Sequence, residues 1–254
     1  MTILQKILAT KEQEIAEFPS TFPKRTVPLV PFFDVDHPKL ALIAEIKRAS
    51  PSKGIINGDI DPVAQAIKYE KAGAKAISVL TDETYFKGTM ADMAAVKQAV
   101  HTSVLNKDFI ISTQQIDRAY AYGADMILLI VAALNDASLH HLYTYARNLQ
   151  LDVLVETHTA QEFERACALG ARIIGINHRD LHDFSVDITR SGAILQNQRF
   201  ADKMIIAESG IVTQKDVLTL STYGIDGILV GETLMRAQDA HALAQQLQVP
   251  RHAH

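Results

Sequence analysis

From Leu40 onward the sequence alternates short apolar runs with segments of helical spacing. Short apolar runs bounded by turn residues are typical of buried strands, and helical segments between them predict parallel βαβ units. Eight runs follow this pattern: LALIAEI, AISVL, SVLNK, DMILLI, DVLVE, RIIGIN, MIIAE and DGILV. The alternation restricts the fold to a closed (β/α)8 barrel or an open doubly wound sheet.

A glycine-containing segment before every second run favours the closed barrel. The segments KAGAKAISVL, AYGADMILLI, ALGARIIGIN and TYGIDGILVG place Gly73, Gly123, Gly170 and Gly224 where a helix should end. Glycine readily adopts the left-handed conformation that terminates a helix, and this recurrence indicates an internal repeat of two βα units. Eight units in about 215 residues match the size of a (β/α)8 TIM barrel, and no dinucleotide fingerprint appears.

The first 39 residues have a different pattern. Apolar residues over 3–18 recur at helical spacing and predict one amphipathic helix. Prolines at positions 19, 23, 28 and 31 then keep the chain extended, because each fixes φ and disfavours helix before it. We therefore predict one domain over residues 1–254, with an N-terminal helix and connector over 1–39 and a barrel over 40–248. The N-terminal segment should belong to the working protein, since its apolar helix face needs a covering surface.

The composition excludes several classes of protein. The chain is 48% apolar and 21% charged, the usual balance of a soluble globular protein. The net charge is −4 and no stretch concentrates Lys and Arg among aromatic residues, so we expect no nucleic-acid partner. The apolar runs are too short to span a bilayer and the charged N-terminus does not fit a signal peptide, so we expect a cytoplasmic protein without a membrane partner. The single cysteine, Cys167, excludes an intramolecular disulfide.

Charged residues recur where the odd-numbered strands give way to their loops. They are Glu45 and Lys47 after the first run, Lys107 and Asp108 after the third, Glu156 after the fifth, and Glu208 with Ser209 after the seventh. A charge at one strand end is often merely solvated. Active sites of this fold lie at the carboxyl ends of the strands, so acids and bases on four strands together predict a catalytic rim.

The segments ESGI and LVGETL follow the last two strands and predict a phosphate site. Gly210 and Gly231 lack a Cβ, so their backbone N–H groups can approach phosphate oxygens closely. Thr233 and Leu234 are expected to open a helix whose positive end faces the anion. Loops after the seventh and eighth strands commonly bind phosphate in this fold, so we expect a small phosphorylated ligand.

Seven segments resemble, in order, the motifs of the indole-3-glycerol-phosphate synthase family. They are IAEIKRASPSKG, VLTDETYFKGT, VLNKDFI, LVETHT, IGINHRDL, AESGI and ILVGETLM. The likeness covers essentially the whole chain, and the first and third strings are highly specific, because other phosphosugar barrels do not combine them. The resemblance implies an enzyme that closes, decarboxylates and dehydrates 1-(2-carboxyphenylamino)-1-deoxyribulose 5-phosphate to indole-3-glycerol phosphate without a cofactor.

The resemblance also implies roles for residues at the strand ends. Lys107 matches the lysine that donates a proton to the substrate carbonyl during ring closure. An ammonium group suits this role, particularly if neighbouring Lys47 lowers its pKa toward the working range. Lys47 itself matches a second essential lysine that assists departure of the hydroxyl group. Glu156 matches the general base of aromatisation, whereas Glu45 and Glu208 match carboxylates that orient the lysines and bind substrate hydroxyls. We expect this pairing to keep the carboxylates ionised.

Further matches concern contacts with the substrate. Ser50 matches a serine of the substrate pocket, and Phe109 matches an aromatic residue near the anthranilate ring, although Phe109 also fits a core position at the barrel rim. Asn177 and Arg179 resemble polar contacts after the sixth strand. The matches at the phosphate end are Ser209, Gly210, Leu229, Gly231 and Glu232, the last through its backbone.

Two positions depart from the common spelling of the family motifs. Asn106 stands where Arg or Cys often precedes the lysine, and His178 stands where a small polar residue often follows the asparagine. His178 and His182 lie four residues apart, but the loop HRDLH presents no helical face of ligands, so we expect no metal.

Two other interpretations remain open at this point. Another phosphosugar barrel enzyme, such as phosphoribosylanthranilate isomerase, would share the phosphate loops but would not need both Lys47 and Lys107. A barrel that binds a phosphorylated ligand without converting it would leave the charged positions unused. For the assembly, we expect a monomer or a weak homodimer.

Overall fold

The structure is a computed structural model that describes residues 1–181, 183–196, 198 and 200–251, so that His182 lies outside the described residues. Within them, eight parallel strands close into a barrel in sequential order, with β1 pairing with both β2 and β8. The strands are β1 Ala41–Ile46, β2 Ala76–Leu80, β3 Ser103–Lys107, β4 Met126–Ile130, β5 Asp152–Thr157, β6 Ile173–Asn177, β7 Met204–Glu208 and β8 Gly227–Val230. The predicted (β/α)8 TIM barrel is therefore confirmed.

Helices alternate with these strands and cover the outside of the barrel. They are α1 Ile3–Ala16, α2 Pro62–Lys71, α3 Met90–Ala99, α4 Thr113–Ala121, α5 Asp136–Asn148, α6 Ala160–Ala168, α7 Arg190–Leu195, α8 Gln214–Thr222, α9 Glu232–Arg236 and α10 Ala240–Gln246. The glycines predicted to end α2, α4, α6 and α8 all have positive φ, between +79° and +99°, so that prediction is confirmed. Among the described helices, none is both long and apolar enough to cross a bilayer.

The N-terminal segment contributes one helix and then a strap beneath the barrel. Helix α1 begins with a capping box between Thr2 and Gln5, and it ends two residues before the predicted boundary. In the strap, the backbone N–H groups of Phe32 and Phe33 donate to Asp152 Oδ2 at 2.8 and 3.1 Å. Phe32 is fully buried against the apolar residues inside the barrel. The connector therefore closes the amino-terminal end of the barrel.

Asp125, which precedes β4, ties the same connector to the barrel wall. Its Oδ1 accepts hydrogen bonds from Arg25 Nη2 at 2.8 Å and from the N–H of Val30 at 3.0 Å. Its Oδ2 accepts hydrogen bonds from Lys97 Nζ at 2.6 Å and from the N–H of Val104 at 2.9 Å. One buried carboxylate thus holds the connector, α3 and β3 together.

Replacing Asp125 with Asn is expected to lower the free energy of unfolding by about 3–5 kcal/mol, because two buried cations lose their anionic partner. Urea unfolding of the wild-type protein and of the Asp125→Asn variant measures this difference. Asp202→Asn is the control, since the Asp202 side chain is 77% exposed and pairs only at the surface with Lys203. Equal unfolding midpoints for the two variants would show that the Asp125 cluster does not stabilise the fold.

Candidate active site

Four charged side chains form the top layer of the barrel interior. Each lies two residues after a buried apolar residue of the interior, so the alternation of side chains along a strand directs all four inward. The pairs are Ile43 with Glu45, Leu105 with Lys107, Leu154 with Glu156, and Ile206 with Glu208. All four come from odd-numbered strands, which supply side chains to the same layer of a TIM barrel. The strand ends that the sequence singled out therefore meet.

Two lysines connect the three glutamates of this layer. Lys107 Nζ donates a hydrogen bond to Glu156 Oε2 at 3.2 Å and lies 3.6 Å from Glu208 Oε2. Lys47, just beyond β1, donates to Glu45 Oε1 at 2.6 Å. Each lysine is thus held at the mouth of the barrel by a carboxylate from the interior.

The pKa of Lys107 is not lowered toward the working range. Burial disfavours the charged form of Lys107, but attraction to Glu156, Glu208 and Glu45 outweighs burial and raises its pKa above the ordinary value. Lys107 therefore remains an ammonium group at neutral pH.

The expectation that the carboxylates stay ionised agrees with the direction of the pKa shifts of Glu45 and Glu156, whereas the pKa of Glu208 shifts in the opposite direction. Burial opposes ionisation of Glu45 and Glu156, yet Lys107 lowers the pKa of both and Lys47 further lowers that of Glu45. The pKa of Glu208 is raised well above its ordinary value by burial and by the nearby Glu156.

Gly175 in β6 provides the space that Glu208 occupies. A Cβ on Gly175 would lie 2.0 Å from Glu208 Oε1, which no side chain tolerates. Gly175 is not among the residues predicted from the sequence. Its signal was a glycine inside the apolar run RIIGIN, because a glycine within a strand often marks a close approach by another group.

Two polar side chains at the carboxyl ends of β5 and β6 contact Glu156. His158 Nε2 lies 3.4 Å from Glu156 Oε1, and the Asn177 side chain hydrogen-bonds to the same carboxylate. Both contacts help to keep Glu156 ionised, since each lowers its pKa. The sequence analysis included Asn177 but not His158, which follows Glu156 by two residues in LVETHT.

A cavity of about 140 Å³ lies above the charged layer. Helix α1 forms part of its wall through Ile3, Leu4 and Ile7, as expected for an N-terminal segment that belongs to the working protein. The rings of Phe86 and Phe109 form an aromatic face, with centroids 5.9 Å apart. The predicted residues on its lining are Glu45, Lys47, Ser50, Lys107, Phe109, Glu156, Asn177, Arg179, Glu208, Ser209, Leu229 and Glu232. The cavity thus has an apolar side above a charged floor.

An adjoining cavity of about 600 Å³ contains the predicted phosphate end. Its lining includes the two remaining predicted residues, Gly210 and Gly231, and four cationic side chains, Lys47, Lys53, Arg179 and Arg236. The helix beyond β8 opens at Glu232, one residue before the predicted Thr233. Lys53 and Arg236 were not singled out from the sequence, although Lys53 stands inside the motif IAEIKRASPSKG. The two adjoining cavities together suit a small molecule that has an anionic group at one end and an apolar, planar portion at the other.

Gly231 and Gly210, the two glycines of the predicted phosphate site, each leave space for a different neighbouring group. A Cβ on Gly231 would lie 2.5 Å from Glu45 Oε1 and 3.2 Å from Lys47 Nζ, so Gly231 leaves space for that ion pair. Gly210 has a φ of +78°, and a Cβ there would lie 2.3 Å from Val186 Cγ1. Gly231 therefore borders both the anion cavity and the charged layer.

Asn106 belongs to a buried network beside Lys107. Its Nδ2 donates to Thr81 Oγ1 at 2.8 Å, and Thr81 in turn donates to Asp108 Oδ2 at 2.6 Å. Lys11 of α1 completes the network, with its Nζ 3.1 Å from Asp108 Oδ1 and 2.8 Å from Asp82 Oδ2. The asparagine at this unusual position therefore helps to fix the end of β3 and the docking of α1.

The comparisons with known proteins agree in one family. The model of the family described as indole-3-glycerol phosphate synthase matches residues 4–247. A protein of that name from Exiguobacterium sibiricum is 49% identical over 243 residues, covering 94% of each chain. One from Listeria welshimeri is 46% identical and covers 99% of this chain and 100% of its own. A multifunctional tryptophan biosynthesis protein from Phanerodontia chrysosporium is 42% identical, but only 34% of its length is matched.

More distant solved structures share the fold alone. A 3-hexulose-6-phosphate synthase superposes with a TM-score of 0.63 at 18% identity, covering 82% of this chain and 98% of its own. An N-acetylmannosamine-6-phosphate 2-epimerase from Clostridium perfringens gives a TM-score of 0.62 at 15% identity, covering 82% and 93%.

The Glu156→Gln variant is expected to lower the pKa of Lys107, because one of the carboxylates that raise it is removed while burial remains. A carboxylate at this distance typically shifts a pKa by about 1–3 units. NMR titration of the isotopically labelled lysine side chain measures the change. Glu232→Gln is the matched control, since the Glu232 carboxylate pairs with Arg236 instead. An unchanged titration of Lys107 in Glu156→Gln would contradict this account of the cluster.

The Gly231→Ala variant is expected to impair both turnover and anion binding, because the added methyl group displaces the Glu45–Lys47 pair. Loss of a charge-assisted hydrogen bond to the anion predicts a rise in KM of about tenfold to a hundredfold, together with a lower kcat. Steady-state kinetics on the folded variant test both values. Gly58→Ala is the control, since a Cβ there would make only an ordinary contact, 3.5 Å from Ile55 Cγ2, and Gly58 borders neither cavity. Unchanged KM in Gly231→Ala would remove this glycine from the anion site.

Proposed function

Because the chain belongs to the indole-3-glycerol phosphate synthase family, we propose that it forms indole-3-glycerol phosphate in tryptophan biosynthesis. The proposed substrate is 1-(2-carboxyphenylamino)-1-deoxyribulose 5-phosphate, which closes a ring and loses CO₂ and water without a cofactor. The enzyme is then a carboxy-lyase, a carbon–carbon lyase. The observation that carries the proposal is the placement of Lys107 between Glu156 and Glu208, with the Lys47–Glu45 pair beside it.

In the ring-closing step, the aromatic carbon that bears the carboxylate attacks the ketone carbon. The carbonyl electron pair moves to oxygen, and Lys107 donates a proton to that oxygen. The raised pKa of Lys107 supports this role, because the group is charged before the reaction and the oxygen becomes strongly basic only as the new bond forms. Breaking the bond to the carboxylate then releases CO₂ and restores the aromatic ring.

In the dehydration step, the hydroxyl group formed from the carbonyl leaves with a proton from Lys47, while Glu156 removes a proton from the adjacent carbon. The lowered pKa of Glu156 supports its role as base, since it is ionised when the step begins. Glu45 holds Lys47 at 2.6 Å, and Glu208, which carries a proton over a wider pH range, binds a substrate hydroxyl. Two protons are donated and one is accepted, so one net proton comes from solvent, and it balances the negative charge that is lost when the carboxylate leaves as CO₂.

The two cavities suit the two ends of this substrate. The aromatic face of Phe86 and Phe109, with the apolar residues of α1, suits the anthranilate ring. The backbone of Ser209, Gly210, Gly231 and Glu232 suits the phosphate, and the nearby Lys53 and Arg179 add positive charge. The sugar chain then crosses the charged layer between them. Ser50, Asn177 and Leu229 border that path.

Replacing Lys107 with Met is expected to lower kcat by about 10²–10⁴ while substrate still binds, the usual contribution of a positioned acid. Formation of fluorescent indole product from the proposed substrate measures turnover. Lys75→Met is the control, since Lys75 pairs with Asp34 away from both cavities. Normal product formation by Lys107→Met would eliminate Lys107 as the acid, and a loss confined to KM would make it a substrate-holding lysine.

Rapid-quench analysis separates the two steps in the same series. Glu156→Gln should accumulate a ring-closed intermediate, whereas Lys107→Met should not, because its block comes earlier. A wild-type protein that binds the substrate without forming indole would contradict the proposed function. Turnover of an aminoaldose phosphate alone would assign an isomerase instead.

A further inference from the structure

His178 is a buried histidine that none of the proposed chemical steps uses. It follows β6, is fully buried, and borders neither of the two cavities. Its Nδ1 lies 2.9 Å from the carbonyl oxygen of Ser209, and its Nε2 lies 2.7 Å from Ser191 Oγ in α7. A fully buried imidazole with both nitrogens engaged is fixed in orientation.

The partners of His178 determine which nitrogen carries the proton. A carbonyl oxygen can only accept, so Nδ1 donates to Ser209. In the neutral ring Nε2 then accepts a hydrogen bond from the Ser191 hydroxyl. Burial lowers the pKa of His178, which favours this neutral form.

The backbone of His178 joins the same elements together. Its N–H donates to the carbonyl of Glu208 at 2.9 Å, and its own carbonyl accepts from the N–H of Asp187 at 3.1 Å. His178 therefore connects the ends of β6 and β7 with the segment around Asp187. This position allows its side chain to act on the loop that follows Glu208.

Ser209, which His178 contacts, has an unusual backbone conformation. Its φ is +67°, a left-handed value that L-residues other than glycine rarely adopt, and the following Gly210 has a φ of +78°. Such a conformation persists where neighbouring groups enforce it. The hydrogen bond from His178 to the Ser209 carbonyl is one such constraint.

The orientation of the Ser209 carbonyl also sets the direction of the next N–H group. In a trans peptide the Ser209 C=O and the Gly210 N–H point in opposite directions. A carbonyl held against His178 therefore directs the Gly210 N–H away from His178. Among the described residues, none accepts a hydrogen bond from this N–H, and Gly210 borders the anion cavity.

We propose that His178 is a positioning residue that holds the Ser209 carbonyl so that the Gly210 N–H is presented to the substrate phosphate. The inference rests on the proposed function of the anion cavity and adds to it a residue outside the cavity. It also gives a role to a histidine at a position where the family motif often has a small polar residue.

Two variants with amide side chains test the two hydrogen bonds of the ring separately, because each amide can replace one ring nitrogen. In His178→Asn the amide nitrogen can occupy the place of Nδ1, which preserves the bond to Ser209. In His178→Gln the amide can reach the place of Nε2, which preserves the contact with Ser191 and loses the bond to Ser209. Ser191→Ala is a third variant, which removes only the Nε2 partner.

The proposal predicts that His178→Gln raises KM about threefold to tenfold, the effect of one lost hydrogen bond. The inhibition constant of inorganic phosphate should rise by the same factor, with kcat within twofold of wild type. The ¹⁵N order parameter of the Gly210 amide should fall in the free protein. His178→Asn and Ser191→Ala should resemble wild type in all these measurements.

The proposal would be overturned if His178→Gln left KM, phosphate inhibition and the Gly210 order parameter unchanged. It would also be overturned if His178→Asn changed these three quantities as much as His178→Gln does. The order parameter is measured without ligand, so it is independent of the proposed function. If the wild-type protein neither turned over the substrate nor bound phosphate, the proposed function would fail. In that case, a Gly210 order parameter that falls in His178→Gln but not in His178→Asn would still support the positioning role. An unchanged Gly210 order parameter in His178→Gln would refute it.

Discussion

The charge on Lys107 is the interaction around which the site is organised. An ammonium group in the top layer of a barrel interior is costly unless carboxylates surround it, and Glu45, Glu156 and Glu208 supply them. Their attraction exceeds the effect of burial, so the lysine stays charged. Burial and the same crowding of carboxylates raise the pKa of Glu208 well above its ordinary value. The opposing effects of burial and attraction therefore set the charge balance of this layer.

Closure of the barrel makes this balance possible. The charged residues are far apart in sequence, and they meet because odd-numbered strands supply the same interior layer. The N-terminal segment contributes at both ends of the barrel. Its strap inserts Phe32 below, and α1 packs at the mouth, where Lys11 pairs with Asp82 and Asp108. Asp108 follows Lys107 directly, so the docking of α1 and the position of the proposed acid are coupled.

The errors of the sequence analysis have a common cause. The proximity of Lys47 suggested a lowered pKa for Lys107, but the net effect on Lys107 depends on how many carboxylates reach its Nζ. Glu208 was expected to stay ionised through pairing with a lysine, but burial and Glu156 raise its pKa. Gly175 was missed because the atom that requires a glycine there, Glu208 Oε1, belongs to another strand. Electrostatic and steric effects of this kind depend on distances of a few ångströms, which strand spacing does not determine.

The sequence by itself determined the barrel, the strands that carry charged residues and the glycines that end four helices, because these follow from local periodicity and backbone preference. The motif strings were also sufficient to indicate the family. Only the tertiary structure decided the direction of the pKa shifts in the charged layer, the space that Gly175 and Gly231 leave for carboxylates, and the contact of His178 with Ser209. These properties depend on contacts between different strands and loops. Burial and interatomic distance there determine the free energy of ionising a side chain and the orientation of a peptide group.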